Sequence, residues 1–358
     1  MPEKCRIDFY GSSLVSAYWN GAATYYRGII KELNKLGYQV KFYEPDAFNR
    51  QKHRDIKDLT YAESIIYQAQ KEDEVRTILK KSVDADIIIK ASGVGVFDRL
   101  LEEEVLKLKS QKNLVIFWDV DAPATLDRMQ NNPDDYFRSL VSQYDLILTY
   151  GGGKPVVDKY LSFGAKKCVP IYNALDAETH YPVARSNKFK SDLAFLGNRM
   201  PDREKRVFEF FFKPAQKLAH KKFLLGGSGW DINTPFLSNL EYVGHVYTAE
   251  HNAFNCTPLA ILNISRESMA SFGFSPATRL FEAAGAGACI ITDKWQGIEN
   301  FLEPEKECFI AEDGEQVADI LSHLTPDIAK RTGLNALRRI LSEHTYSKRA
   351  AELDRLLI

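Results

Sequence analysis

Short, near-continuously apolar runs alternate with helical patterns along the first half of the chain. Arg6–Tyr10, Gln39–Tyr43, Ala85–Lys90, Leu114–Trp118 and Leu146–Tyr150 read as strands. Their lack of polar alternation is what parallel strands covered on both faces require. Between them, Ala22–Leu36 reads as a helix closed by Gly37, and Leu100–Lys109 as another. The pattern then restarts. Leu193–Leu196, Phe223–Leu225, Leu259–Ile264 and Cys289–Thr292 read as strands, Arg203–Leu218 and Pro276–Ala286 as helices. His344–Ile358 closes the chain as an amphipathic helix.

Strand–helix alternation of this kind predicts doubly wound α/β domains. The polar, proline-bearing stretch Tyr181–Lys190 joins the two series. The expected organisation is a first domain over 1–183, a second over 184–340, and a terminal segment 341–358 packing back on the first. Two such domains in tandem are expected to face a central cleft lined by the carboxyl ends of strands, where ligands bind.

Length and composition agree with this. The chain has 358 residues, 45% of them hydrophobic and 27% charged, which fits two globular domains. Its 47 basic and 48 acidic side chains leave a net charge of -1. Residues 1–185 carry 26 of each sign, so neither half is a polycation of the kind that binds nucleic acid. No run approaches a membrane span, and the start at Met1 shows no signal-peptide core. Cys5, Cys168, Cys256, Cys289 and Cys308 are odd in number and widely spaced. Reduced thiols in a cytoplasmic protein are expected.

Two familiar phosphate motifs fail. Gly151-Gly152-Gly153-Lys154 has Leu148 where a P-loop needs its first glycine and Pro155 where it needs Ser or Thr. After the first strand, Gly11 and Gly21 are too far apart for a dinucleotide fingerprint.

The stretch Ser265–Asp293 is more informative. Ser275 reads as the N-cap of a helix with Pro276 at its first position. Phe274, Ser275, Pro276, Ala277 and Thr278 would then present backbone N–H groups to a phosphate, with the Thr278 hydroxyl as a further donor. Glu282, one turn later, is placed to accept from a ribose diol. The plain alternative is an ordinary capped helix with a surface glutamate. Arg266 and Arg279 are candidates for the diphosphate. Gly226 and Gly227 follow a strand and permit close backbone approach to a ligand. His245 and Val246 are candidates for contact with a base edge.

The segment SPATRLFEAAGAG at 275–287, followed by ITDKWQGIENFLEP at 291–304, resembles the donor domain of CgeB-like (spore-maturation type) bacterial glycosyltransferases of the GT-B group. DLAFLGNRMPDRE at 192–204, YVGHV at 242–246, HTYSKRA at 344–350, FWDVDAP at 117–123 and VPIYNALDAETHYP at 169–182 are similar to the same family. The resemblance implies a GT-B fold with two Rossmann-like domains. It also implies transfer from a nucleoside-diphosphate sugar and a diphosphate role for Arg203. Phe274 stands where related enzymes carry the first acid of a Glu-x7-Glu pair, so the stereochemical outcome stays open.

The first domain is expected to hold the acceptor. Asp121, ahead of Ala122-Pro123, is the candidate general base, with Asp119 beside it. The Asp-x-Asp spacing invites a metal reading. We set it aside, because a helix N-terminus and arginines already supply positive charge. Trp19, Asn20 and Gly21 are expected to line the cleft, with Gly21 close to the donor, and His180 to pack near the linker.

The expected activity is metal-independent hexosyl transfer with a nucleoside-diphosphate sugar as co-substrate and no cofactor. The acceptor is a glycan, a glycoside or another small hydroxyl compound. The alternatives are a sugar-nucleotide 2-epimerase of the same fold and a non-catalytic sugar-nucleotide-binding protein. The sequence names neither sugar, base, acceptor nor oligomeric state.

Overall fold

The computed structural model describes residues 5–18, 20–232 and 234–357. Trp19, assigned above to a cleft wall, lies outside the described residues, as do Met1–Lys4. The chain divides into two compact units, Met1–Tyr172 with Tyr346–Ile358, and Asn173–Thr345.

The first unit holds β1 (Arg6–Tyr10), β2 (Gln39–Pro45), β3 (Glu63–Tyr67), β4 (Ile87–Ala91), β5 (Leu114–Asp119), β6 (Leu146–Thr149) and β7 (Cys168–Pro170). They form one sheet in the order β3-β2-β1-β4-β5-β6-β7, and every pairing is parallel. The central strands are buried throughout, so their apolar runs serve both faces. Phe9 and Phe42 stack at 5.1 Å across β1 and β2, and the Trp118 indole donates to the Tyr25 hydroxyl at 3.1 Å.

The second unit repeats the winding. It holds β8 (Leu193–Leu196), β9 (Phe223–Gly226), β10 (Leu240–Gly244), β11 (Ala260–Asn263), β12 (Ile290–Asp293) and β13 (Phe309–Ala311). The order is β10-β9-β8-β11-β12-β13, again all parallel. Each sheet reverses direction of winding beside its first strand, at β1/β4 and at β8/β11. Phe195, Phe211, Phe223, Leu262 and Ile291 are central to the core.

Three expectations need correction. The domain boundary falls at Tyr172/Asn173, ahead of 183/184. Residues before the polar stretch are already anchored in the second unit: the Asn173 amide donates to the Thr278 hydroxyl, and Leu175 fills the space beside Gly285. The polar stretch itself is tied down there, with Ser186 N–H on Thr257 Oγ1 at 2.9 Å.

The helix read over 203–218 is three pieces: Pro201–Val207, a π turn Phe208–Phe212, and Lys213–Lys217. Pro214 lacks an N–H, and its ring crowds the carbonyl four residues back, so the helix widens there. The helix expected over 276–286 runs from Thr278 to Gly285. Gly273 and Phe274 hold φ of 70° and 47° and keep the chain in a loop for longer.

Among the described residues no helix is long and apolar enough to cross a membrane. The terminal helix Tyr346–Leu357 belongs to the first unit and lies against Ala23–Lys35. Tyr38 donates to Asp354 at 2.7 Å. The contact is closest at Gly28, where an added β-carbon would stand 2.3 Å from the Tyr346 ring. Gly28→Val is therefore expected to destabilise the first unit by about 1–3 kcal/mol, the usual cost of overpacking. Urea denaturation checks this; an unchanged midpoint would show that the terminal helix does not dock on Gly28.

Candidate functional site

In an open parallel sheet, the loops after the strands flanking the reversal form a ready-made crevice. In the second unit these are the loops after β8 and β11. The β8 loop is locked to the β9 loop. Gly197 N–H donates to Gly226 O at 3.0 Å, Trp230 Nε1 donates to Gly197 O at 2.7 Å, and Ser228 N–H donates to Asn198 Oδ1 at 2.9 Å. A β-carbon on Gly227 would sit 2.3 Å from Gly197 O. This corrects the reading of Gly226 and Gly227. Their openness serves contact between two protein loops, with Leu196 and Val246 against Gly226 and the Gly197 backbone against Gly227.

Gly197 in turn makes room for two arginines. A β-carbon there would lie 2.9 Å from Nη2 of both Arg203 and Arg279. Both guanidinium groups also lie over the Phe195 ring, at 5.6 and 5.2 Å. Arg203 is held by the carbonyl of Asn198, and Arg279 by that of Leu196. Among the described residues neither makes an ion pair. Arg203 Nε and Arg279 Nη1 are buried without a hydrogen-bond partner. Burial, with Arg279 as the next cause, lowers Arg203 to about 9; burial lowers Arg279 as well. A guanidinium resists losing its proton. The pair is thus a fixed double positive charge without an ion-pair partner among the described residues.

The other arginines nearby are already neutralised. Arg266, a candidate for the diphosphate, forms a part-exposed ion pair with Asp202. Arg206 pairs with Asp293 at 2.6 Å. Asp293 is fully buried and also accepts from Ser265 N–H at 2.9 Å, which fixes the loop after β11 to the end of β12.

Ser275 is not the helix N-cap. Its hydroxyl donates to Gly273 O at 2.9 Å, Pro276 precedes the helix, and Ala277 occupies the cap position without a side-chain bond. The N-terminal end of the dipole therefore lies at Thr278, beside Arg279. Phe274 packs its ring where Gly297 leaves space.

One grouping was missed by the sequence. Glu282 lies 3.9 Å from His180 Nε2, and both are near His251. One ligand atom from each of the three lies within 4.8 Å of the others. His251 donates from Nε2 to Val246 O at 3.1 Å. Burial lowers its pKa, outweighing the opposite pull of Glu282. The Val246 carbonyl is thereby engaged within the protein, and the exposed His245 packs on Tyr247. His180, expected near the linker, directly precedes that stretch and also stands beside the helix that carries Glu282. The THYP piece at 179–182 was its only sequence signal.

In the first unit Asp119 is fully buried. It accepts from Ser92 Oγ at 2.8 Å, from the Asp121 N–H at 3.0 Å and from the Tyr160 hydroxyl. Enclosed in this way it positions the end of β5 and is not a free base, which corrects its assignment. Asp121 is exposed, at the N-cap position of the helix Ala122–Asn131, with no side-chain cap bond. At Gly21, also in the first unit, an added β-carbon would meet nothing within 4 Å.

Residues 203–355 match a family model described as glycosyl transferase-like. The fold of the chain is that of the GT-B enzymes. A sucrose-phosphate synthase from Thermosynechococcus elongatus aligns over 99% of this chain and 98% of its own, with a TM-score of 0.72 and 12% identity. Anabaena HepE in complex with UDP-glucose aligns over 99% of both chains, with a TM-score of 0.65 and 12% identity. An alpha-glucosyltransferase in complex with UDP aligns over 99% of this chain and 100% of its own, with a TM-score of 0.70 and 13% identity. No curated protein sequence matches the chain significantly.

The arginine pair makes a direct expectation. Inorganic pyrophosphate at low ionic strength should raise the melting temperature. Ligand at about 100 times its Kd adds roughly 2.7 kcal/mol, about 5–10 °C for a domain of this size. Arg203→Met should abolish that shift while leaving the unliganded protein at least as stable, because an unpaired buried cation is removed. A pyrophosphate response that survives Arg203→Met would refute the assignment.

Proposed function

We propose that this chain transfers a hexose from a nucleoside-diphosphate sugar to an acceptor hydroxyl, as a CgeB-like enzyme, without a metal cofactor. The carrying observation is the Arg203–Arg279 pair at the carboxyl ends of β8 and β11, next to the helix start at Thr278. Positive charge held in place before the reaction is what stabilises a departing diphosphate. Glu282, three residues after Arg279 on the same helix, accepts the ribose hydroxyls in this reading. Asp121 takes the proton of the acceptor hydroxyl, with Asp119 holding its backbone. The acceptor is a glycan, a glycoside or another small hydroxyl compound; a net charge of -1 argues against DNA. The five free thiols favour a reducing compartment, the cytoplasm.

The two histidines beside Glu282 favour one second reading, a sugar-nucleotide 2-epimerase. Product analysis separates the two: transfer consumes an acceptor, whereas epimerisation leaves the sugar on its nucleotide.

A thermal-shift panel of nucleotides and nucleotide sugars is the first test, followed by release of the nucleoside diphosphate in the presence of acceptors. Glu282→Ala should weaken nucleotide binding by about 1–3 kcal/mol, the range for hydrogen bonds to a charged group. Wild-type affinity in that variant would remove the ribose role.

Asp121→Asn should slow transfer by about 10²–10⁴-fold with little change in nucleotide affinity. EDTA should leave turnover intact. Near-normal transfer by folded Asp121→Asn, or an absolute need for a divalent ion, would each overturn its part of the mechanism.

A further inference from the structure

The trio His180, His251 and Glu282 is unusual in its hydrogen bonding. The Thr179 hydroxyl stands 2.9 Å from His180 Nδ1 and fixes the ring from one side, with Nε2 on the other. That Nε2 is buried, has no hydrogen-bond partner, and faces Glu282 at 3.9 Å; His180 itself is 7% exposed. His251 spends its Nε2 proton on the Val246 carbonyl, so its lone pair lies on Nδ1. Among the described residues no side chain donates a hydrogen bond to the Glu282 carboxylate. Two imidazole edges and a carboxylate thus converge without a hydrogen bond between them.

Each histidine is also braced from behind, one by a hydroxyl and one by a backbone carbonyl. This is the outer-shell arrangement that orients imidazole ligands on a metal. Two imidazoles and one carboxylate, with a fourth position open, form a zinc-type donor set. In a tetrahedral zinc site, ligand atoms about 2.0–2.2 Å from the ion lie roughly 3.4 Å apart. The trio, already within 4.8 Å, needs only a small closing movement, and Glu282 is only half-buried.

We propose that His180, His251 and Glu282 bind one divalent transition-metal ion of the zinc class, and that the ion inhibits the enzyme by taking Glu282 from the nucleotide. The second part rests on the ribose role of Glu282 given above; the first does not. The ion is an inhibitor and takes no part in transfer.

The test uses the full chain, stripped of metal by chelator. Zn²⁺ is titrated calorimetrically and Co²⁺ by visible absorbance. The expected result is one ion per chain and a Co²⁺ spectrum of low coordination number. Affinity should fall at least tenfold in His180→Ala, His251→Ala and Glu282→Gln. Cys5→Ser, which removes the exposed thiol, should change nothing. Circular dichroism checks folding, and His251→Gln and Glu282→Gln keep the test decisive where His180→Ala fails to fold. No stoichiometric binding, or binding unchanged in Glu282→Gln and His251→Ala, overturns the site. Zn²⁺ should also weaken nucleotide binding in wild type and not in His251→Ala. Metal binding without that competition would overturn the inhibitory role and leave the metal site standing.

Discussion

Two arginines share one apolar spot, Arg279 lowers the pKa of Arg203, and among the described residues neither makes an ion pair with a carboxylate. The second unit is organised to hold them there. Gly197 has no side chain to keep them apart, Phe195 offers its ring to both, and carbonyls at Leu196 and Asn198 take one proton from each. Nearby acids are directed elsewhere: Asp202 to Arg266, Asp293 to Arg206 and Ser265, Glu204 to Arg199. A buried cation without a partner costs stability. Its retention makes sense where an anion supplies the missing charge.

The parallel sheets decide where such a site can form. Each chain crossover returns to the same edge, so all strand carboxyl ends lie together, and only the reversal point leaves a gap between neighbouring loops. In the first unit the corresponding region is fixed by Asp119, buried and bonded to Ser92, Tyr160 and the Asp121 backbone. A carboxylate committed to three donors is held in one position. The next exposed acid, Asp121, gains a fixed backbone from it.

The long buried strands were legible because their runs are almost wholly apolar: β1 and β8 begin and end where the pattern put them. Four strands were not. β3 and β10 lie at sheet edges with mixed exposure, and β7 and β13 are three residues each, too short for a period to show. Ser275-Pro276 is a sound helix start by local preference, but left-handed Gly273 and Phe274, with the Phe274 ring seated on Gly297, delay the first turn to Thr278. Arg279 and Glu282 were found because they share one short segment. His180 and His251 were not, since only the fold brings their distant positions to Glu282. The glycines after β9 were read as open to a ligand because sequence shows a missing side chain and not what fills its place.

The helix Thr278–Gly285 joins two opposite deficits. Arg279 and Glu282 are three residues apart, about 4.5 Å along the axis and on neighbouring positions of one face. On the Arg279 side, guanidinium donors lack acceptors; on the Glu282 side, no side chain among the described residues donates a hydrogen bond to the carboxylate. A simple anion satisfies only the first and a simple cation only the second. A single molecule satisfies both if it carries a phosphate at one end and hydroxyl groups within about one helical turn of it. A phosphorylated sugar or nucleoside has this shape. In the reading proposed above, the spacing of a negative charge from a diol follows from the rise of one helix.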